Sequence, residues 1–280
     1  MQNTNKKEQG MVVYLGGGLA NQLFQYAFGR SVAVVRNEDL YFEKSSLRGT
    51  QRAYGLGAYN VQIKFASPPF TGYFHEDYFR YMMDVYTAPR NAYFVGNWQN
   101  ERYFNVPIIR KELTLRNSVT DETKRVVDEI LATPKSAFIH VRRGDYMNRT
   151  ASAFHGNMGM DYYNRATDYI LERVTDVKFF VFSDDHDWCK LNFPSFRVVD
   201  HIKSKHITED ENSPGIECED LHMMSFCNHA IIPNSSFGWM GAWLGDTQRN
   251  RIVIGPKTWF AKPTRPGDGD ETIPTRWIRL

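Results

Sequence analysis

Ser136-Ala137-Phe138-Ile139-His140-Val141-Arg142-Arg143-Gly144-Asp145-Tyr146 runs from an apolar, β-favouring stretch straight into a knot of charge. An apolar run without alternation suits a strand buried on both faces, the habit of parallel sheets. Its carboxyl end delivers paired arginines, a glycine able to turn the chain, a carboxylate and an aromatic ring. That end is where open α/β sheets bind their ligands. His140 lies inside the run, where a hydrogen-bonded core imidazole and a functional one are both open readings.

Downstream, the pattern alternates. Helix Asp161 to Val174, strand Lys178 to Phe182, a short helix near Asp187 to Asn192 and strand Phe196 to Val199 follow in order. Helix Glu217 to Cys227, strand Ala230 to Ile232, helix Phe237 to Leu244 and strand Arg251 to Ile254 complete the series. Repeated β-α units imply a mainly parallel sheet covered by helices. Polar groups collect at three strand ends: Arg142-Arg143 with Asp145, Ser183-Asp184-Asp185, and Asn234-Ser235-Ser236. A parallel sheet puts those ends along one edge, so the clusters should share a crevice.

Upstream, Met11 to Leu15 is a short apolar run followed by Gly16-Gly17-Gly18-Leu19-Ala20-Asn21. From Gln22 to Arg36, residues Leu23, Tyr26, Ala27, Ala33 and Val34 recur at helical spacing. Strand, glycine turn and helix make half of a mononucleotide-binding unit whose helix start favours an anion, although glycines after a strand also serve only to turn the chain. Leu40 to Phe104 is broken by glycine and proline and rich in aromatics, which suit either a core or a sugar-stacking platform. Thr120 begins a helix, with Asp121 and Glu122 in the first turn and Val126, Val127, Ile130 and Leu131 on one face. Pro134 ends it, and the lobe boundary is expected there: 1–133 as the N-terminal lobe and 134–280 as the C-terminal lobe, whose last residues are candidates to pack back on the first.

Composition narrows the function. A net charge of +2 over 280 residues gives no field for nucleic acid or an anionic membrane, so any anion site must be local. Cys189, Cys218 and Cys227 are an odd number without framework spacing, consistent with reduced thiols. Cys218, His222 and Cys227 lack a fourth partner at zinc-ligand spacing. Met1 to Gly10 is polar, no stretch approaches the ~20 apolar residues of a membrane span, and a cytoplasmic protein without a transmembrane segment is expected. The triplets at Asn148 and Asn234 match a glycosylation acceptor but sit beside the candidate site, which a glycan would obstruct.

The arginine fork matches a pyrophosphate and stays charged at any working pH. Serines at the start of the Phe237 helix add hydroxyl and N–H donors for the same anion. Asp184 or Asp185 can accept from the N1–H and amino group of guanine. A nucleoside diphosphate therefore fits all three clusters. The structural alternatives are an arginine pair that anchors Asp145 and a loop, and helix caps at Ser183-Asp184-Asp185 and Asn234-Ser235-Ser236.

His140-Val141-Arg142-Arg143-Gly144-Asp145-Tyr146 resembles the HxRRGDY signature of α-1,2-fucosyltransferases of glycosyltransferase family 11. Gly16 to Ala27, Phe180 to Asp185 with Trp188, and Asn234 to Trp239 resemble further blocks of that family in its order. The sequence departs from it at Pro233, Gly238 and Met240. The resemblance implies a GT-B-type α/β glycosyltransferase, two Rossmann-like lobes facing each other across a cleft, that moves L-fucose from GDP-β-L-fucose to the 2-hydroxyl of a galactoside with inversion. No metal or other cofactor is expected. A galactose-containing oligosaccharide or glycolipid is the expected acceptor.

On that resemblance the donor residues are His140, Arg142, Arg143, Gly17, Gly18, Asn21, Gln22, Ser183, Asp184, Asp185, Asn234, Ser235, Ser236 and Phe237. Arg142 would stabilise the leaving diphosphate, Asp184 would hold guanine, and Asn21 would close over the phosphates as the lobes meet. Asp145 is the first candidate for the base, with His155 and Asp161 behind it; Tyr146, Asp161, Trp98 and Gln99 are candidates for the acceptor. A transferase of another GDP-sugar or linkage and a non-catalytic carbohydrate-binding protein are the rivals. A dinucleotide oxidoreductase is disfavoured because GxGxxG with a downstream ribose-binding acid is missing.

Overall fold

A computed structural model describes residues 9–48, 53–65, 69–143, 156, 158–200, 215–247 and 250–280. The described residues divide into two compact units, one ending at Arg116 and the other beginning at Asn117. The division falls ahead of the expected 133/134. Leu115 bridges to Tyr59 and the Arg116 N–H donates to the Ala58 carbonyl, so these residues close the first unit. Helix α3 (Asp121–Leu131) belongs to the second, because its cap residue Thr120 and its buried Thr123 are held by Glu219. The last residues also stay with the second unit, where Ile278–Arg279 adds an edge strand.

The first unit is a parallel four-stranded sheet in the order β2-β1-β4-β3, formed by β1 (Met11–Tyr14), β2 (Leu40–Glu43), β3 (Tyr73–His75) and β4 (Tyr93–Val95). Helix α1 (Leu19–Arg36) packs on it through Leu23, Phe24, Ala27 and Phe28, all fully buried. Asn37 ends the helix in the left-handed conformation, φ 50°, and its N–H caps Ala33 and Val34 carbonyls. Part of the aromatic region left open by the sequence is core: Phe94, Trp98 and Tyr103 interlock with Phe28 of α1, with Phe28 and Trp98 stacked at 3.9 Å, whereas Phe65, Phe70, Tyr73 and Tyr78 are exposed. A short helix, α2 (Val106–Glu112), completes the unit.

The second unit is a parallel six-stranded sheet in the order β10-β9-β8-β5-β6-β7. Its strands are β5 (Ser136–Val141), β6 (Lys178–Ser183), β7 (Arg197–Val198), β8 (His229–Ile231), β9 (Val253–Gly255) and β10 (Ile278–Arg279). Helices α4 (Met160–Leu171), α5 (His186–Asn192), α6 (Ile216–Phe226) and α7 (Ser236–Gly245) connect them. Every residue of β5 is buried, as its unbroken apolar run requires. Strand order reverses at β5, which pairs with β6 on one side and β8 on the other. In the first unit the order reverses at β1, between β2 and β4. In open α/β sheets such reversals are where ligands bind, at the strand carboxyl ends. Among the described residues no helix is long and apolar enough to cross a membrane. The three cysteines are buried thiols, and burial pushes Cys189 up to about 11 and Cys227 to about 12.

Candidate active site

At the reversal of the second sheet, Arg142 and Arg143 leave β5 and meet Asp184 and Asp185 leaving β6, because the β5–β6 register runs Val141 against Ser183. Arg142 Nη1 lies 2.9 Å from Asp184 Oδ2, and the Arg143 backbone N–H donates to Asp184 Oδ1 at 2.9 Å. Both carboxylate oxygens are thus engaged by the arginine pair. The acid expected to read guanine serves first to hold Arg142. Arg143 donates from Nε to Asp185 Oδ2 at 3.0 Å, and its guanidinium lies 4.3 Å from the Trp188 ring centre. Asp185 meanwhile caps α5 by accepting the Trp188 N–H at 3.1 Å. That amide bond, then Arg143, hold the Asp185 carboxyl below the usual range. Asp185 therefore caps α5 as the cap reading has it, and the arginines' partners here are Asp184 and Asp185; the expected partner Asp145 lies outside the described residues. Ser183 Oγ accepts the Asp185 N–H and shapes this turn.

His140 is 4% exposed, and its buried Nδ1 has no hydrogen-bond partner among the described residues. Burial, then the Arg142 charge, press its pKa down to about 3, so the ring is neutral at any physiological pH. Phe237 packs against it at 5.3 Å. Gly238 fits beneath: a Cβ there would stand 2.7 Å from Nδ1. Ser235 occupies the cap position of α7, but its side chain makes no capping bond, and Ser236 begins the helix. Asn234 is 2% exposed and donates to the carbonyls of Gly156 and Trp259 at 3.3 and 3.2 Å, which braces the strand-to-helix turn. Asp161 stands exposed in the first turn of α4. Asp145, Tyr146, His155 and the Asn148 triplet lie outside the described residues.

In the first unit the glycine turn follows β1. Gly17 has φ +76°, and a Cβ on it would stand 2.6 Å from Asn21 Nδ2, so only glycine fits there with Asn21 above it. Gln22 is fully buried; its Nε2 donates to the Gly17 and Ala53 carbonyls and its Oε1 accepts the Gly55 N–H. It builds the turn, which corrects its placement among the donor contacts. Gln25 does the same between the Gly16 N–H and the Gly96 carbonyl. Trp98, expected at the acceptor, is 0% exposed and belongs to the aromatic core. Gln99 is 5% exposed and donates to Asn21 Oδ1 at 3.0 Å.

Glu76 was not singled out by the sequence, for it sits in the polar run His75-Glu76-Asp77 with no spacing to mark it. It accepts the N–H groups of Asn97 at 2.7 Å and Trp98 at 3.0 Å. Desolvation nevertheless raises its pKa to about 7.

The profile described as Glycosyl transferase family 11 matches residues 61–280. An α-1,2-colitosyltransferase of Escherichia coli is 31% identical over 96% of this chain and 98% of its own. The O-antigen biosynthesis glycosyltransferase WbnK of Escherichia coli is 30% identical over 88% and 94%. Among solved structures, the fucosyltransferase NodZ from Bradyrhizobium superposes with a TM-score of 0.54 at 14% identity, covering 84% of this chain and 92% of that one. At that identity the likeness concerns the fold, which is the α/β fold of GT-B glycosyltransferases, with parallel sheets.

Proposed function

Because the chain belongs to glycosyltransferase family 11, we propose that it transfers L-fucose from GDP-β-L-fucose to the 2-hydroxyl of a galactoside, with inversion. The observation that carries this reading is Arg142, held by Asp184 at the carboxyl end of β5 beside the start of α7. As the fucosyl–phosphate bond breaks, negative charge grows on the diphosphate. A guanidinium already oriented by a carboxylate meets that charge without reorganising. The N–H groups in the first turn of α7 add to it, so this scheme uses no divalent metal. Arg143 braces the turn after β6 through Asp185, and Gly17, Gly18 and Asn21 are read as donor contacts. Asp145, His155 and Asp161 are the candidates to take the acceptor hydroxyl's proton.

The identity to a colitosyltransferase favours a second reading, with colitose in place of fucose as the transferred sugar. Incubation with GDP-fucose or GDP-colitose and a panel of galactosides, followed by mass spectrometry and linkage analysis, separates the two. A 1,2-linked fucosyl product supports the first reading. Transfer only from GDP-colitose supports the second, and binding of GDP without transfer from either sinks both.

A further inference from the structure

The strand order of the first sheet reverses between β1 and β4, and two turns leave the sheet there: Gly16 to Gly18 and Gly96 to Asn100. The second turn is not a conformation its residues choose. Trp98 has φ +56°, a left-handed backbone that costs an L-residue with a bulky side chain on the order of 1–2 kcal/mol. Such a residue persists only where its surroundings over-determine it. Two things do so here: the indole is locked against Phe28, and the Glu76 carboxylate gathers the N–H groups of Asn97 and Trp98, one on each oxygen. Glu76 itself continues the β3–β4 pairing through its N–H on the Val95 carbonyl, so its backbone is fixed by the sheet.

The consequence reaches Asn21. A side-chain amide can present either its oxygen or its NH₂, and the partner decides which. Gln99, next to Trp98 in the clamped turn, donates to Asn21 Oδ1, which turns Asn21 Nδ2 toward Gly17. An N–H donor over a glycine turn at a helix start suits an anion; the opposite amide orientation would present an oxygen and repel one. We propose that Glu76 is a positioning residue, which sets the side-chain orientation of Asn21 through the turn Asn97 to Gln99. The proposal rests on the reading of Asn21 as a donor contact for its functional consequence, but not for its geometry.

At pH 8, where the Glu76 carboxylate is ionised, the test uses Glu76→Gln, whose amide cannot accept on both sides, and Gln99→Met, which removes the last link and leaves Glu76 intact should the first variant fold poorly. In the ligand-free protein, the side-chain amide resonances of Asn21, identified by their loss in Asn21→Ser, are expected to shift in both variants, while those of Gln22 stay. GDP affinity by calorimetry is expected to fall about tenfold in each, the worth of one hydrogen bond to a charged group. The double variant should cost no more than the larger single one, because the two residues act in one chain. Unmoved Asn21 resonances in both variants would overturn the proposal, as would fully additive losses. Shifted resonances with unchanged GDP affinity would uphold the positioning and refute the donor role of Asn21.

Discussion

Replacing the paired arginines one at a time separates function from support. Arg142 pairs with Asp184, with side chains 23% and 27% exposed, and the loss of that half-exposed pair in Arg142→Ala should lower stability by only ~1 kcal/mol. Arg143 carries an ion pair to Asp185 and a cation–π contact to Trp188, and its loss should cost about 1–2 kcal/mol. Turnover should reverse the order. A positioned donor facing charge that develops in the transition state is worth about 10²–10³ in rate, so Arg142→Ala should lose that much kcat, and Arg143→Ala about tenfold or less. Urea unfolding midpoints and initial rates of transfer from GDP-fucose measure both columns on the same preparations. Near-normal turnover in Arg142→Ala, or a larger rate loss in Arg143→Ala, would refute the division of roles.

Three further outcomes follow from buried groups. Glu219 is 2% exposed and accepts from the Thr120 N–H, Thr120 Oγ and the buried Thr123 Oγ, so Glu219→Ala strands the Thr123 hydroxyl and should cost about 1–3 kcal/mol in urea unfolding; no measurable loss would contradict this. Gly238→Ala drives a methyl to 2.7 Å from His140 Nδ1 and should cost about 1–3 kcal/mol and reduce transfer, whereas a neutral effect would show that α7 yields freely. The Glu76 pKa is raised in the fold from 4.5 to about 7, so its stabilisation is complete below about 4.5 and lost as pH rises through 7. Relative to Glu76→Gln, the wild type should lose up to about 3 kcal/mol between pH 4.5 and 8, at ~1.4 kcal/mol per unit. The comparison with the variant is needed because His140, with its pKa depressed to about 3, acts in the opposite sense as pH falls below 6.5. A difference that grows with pH in favour of the wild type would contradict the assignment.

The second sheet, apart from its edge strand β10, was legible because its strands are apolar runs bounded by helices with clear starts: β5 and β6 were placed almost to the residue, and Asp185 and Thr120 cap as read. The short strands β3 and β4 were not, since three residues carry too little periodicity, and Phe74 and Phe94 pack together in a core that only the tertiary fold assembles while Tyr73 stays exposed. Within the site, residue types announced the charge cluster but not its wiring. Asp184 and Asp185 read as guanine acceptors or caps, and the arginines as holding Asp145; the β5–β6 register is what brings the two acids to Arg142 and Arg143. Gln22 and Trp98 were misplaced for one reason: polar and aromatic side chains beside a ligand-binding turn are as often its scaffold as its surface. Glu76 was invisible because its work is done on backbone amides, which every residue possesses.

The central claim is that Arg142 at the carboxyl end of β5 receives the diphosphate of a guanine nucleotide. A crystal structure of the protein with GDP tests it directly. The account predicts phosphate oxygens about 3 Å from the Arg142 guanidinium and within reach of the first N–H groups of α7. GDP bound elsewhere, with Arg142 making no contact to phosphate, would contradict it.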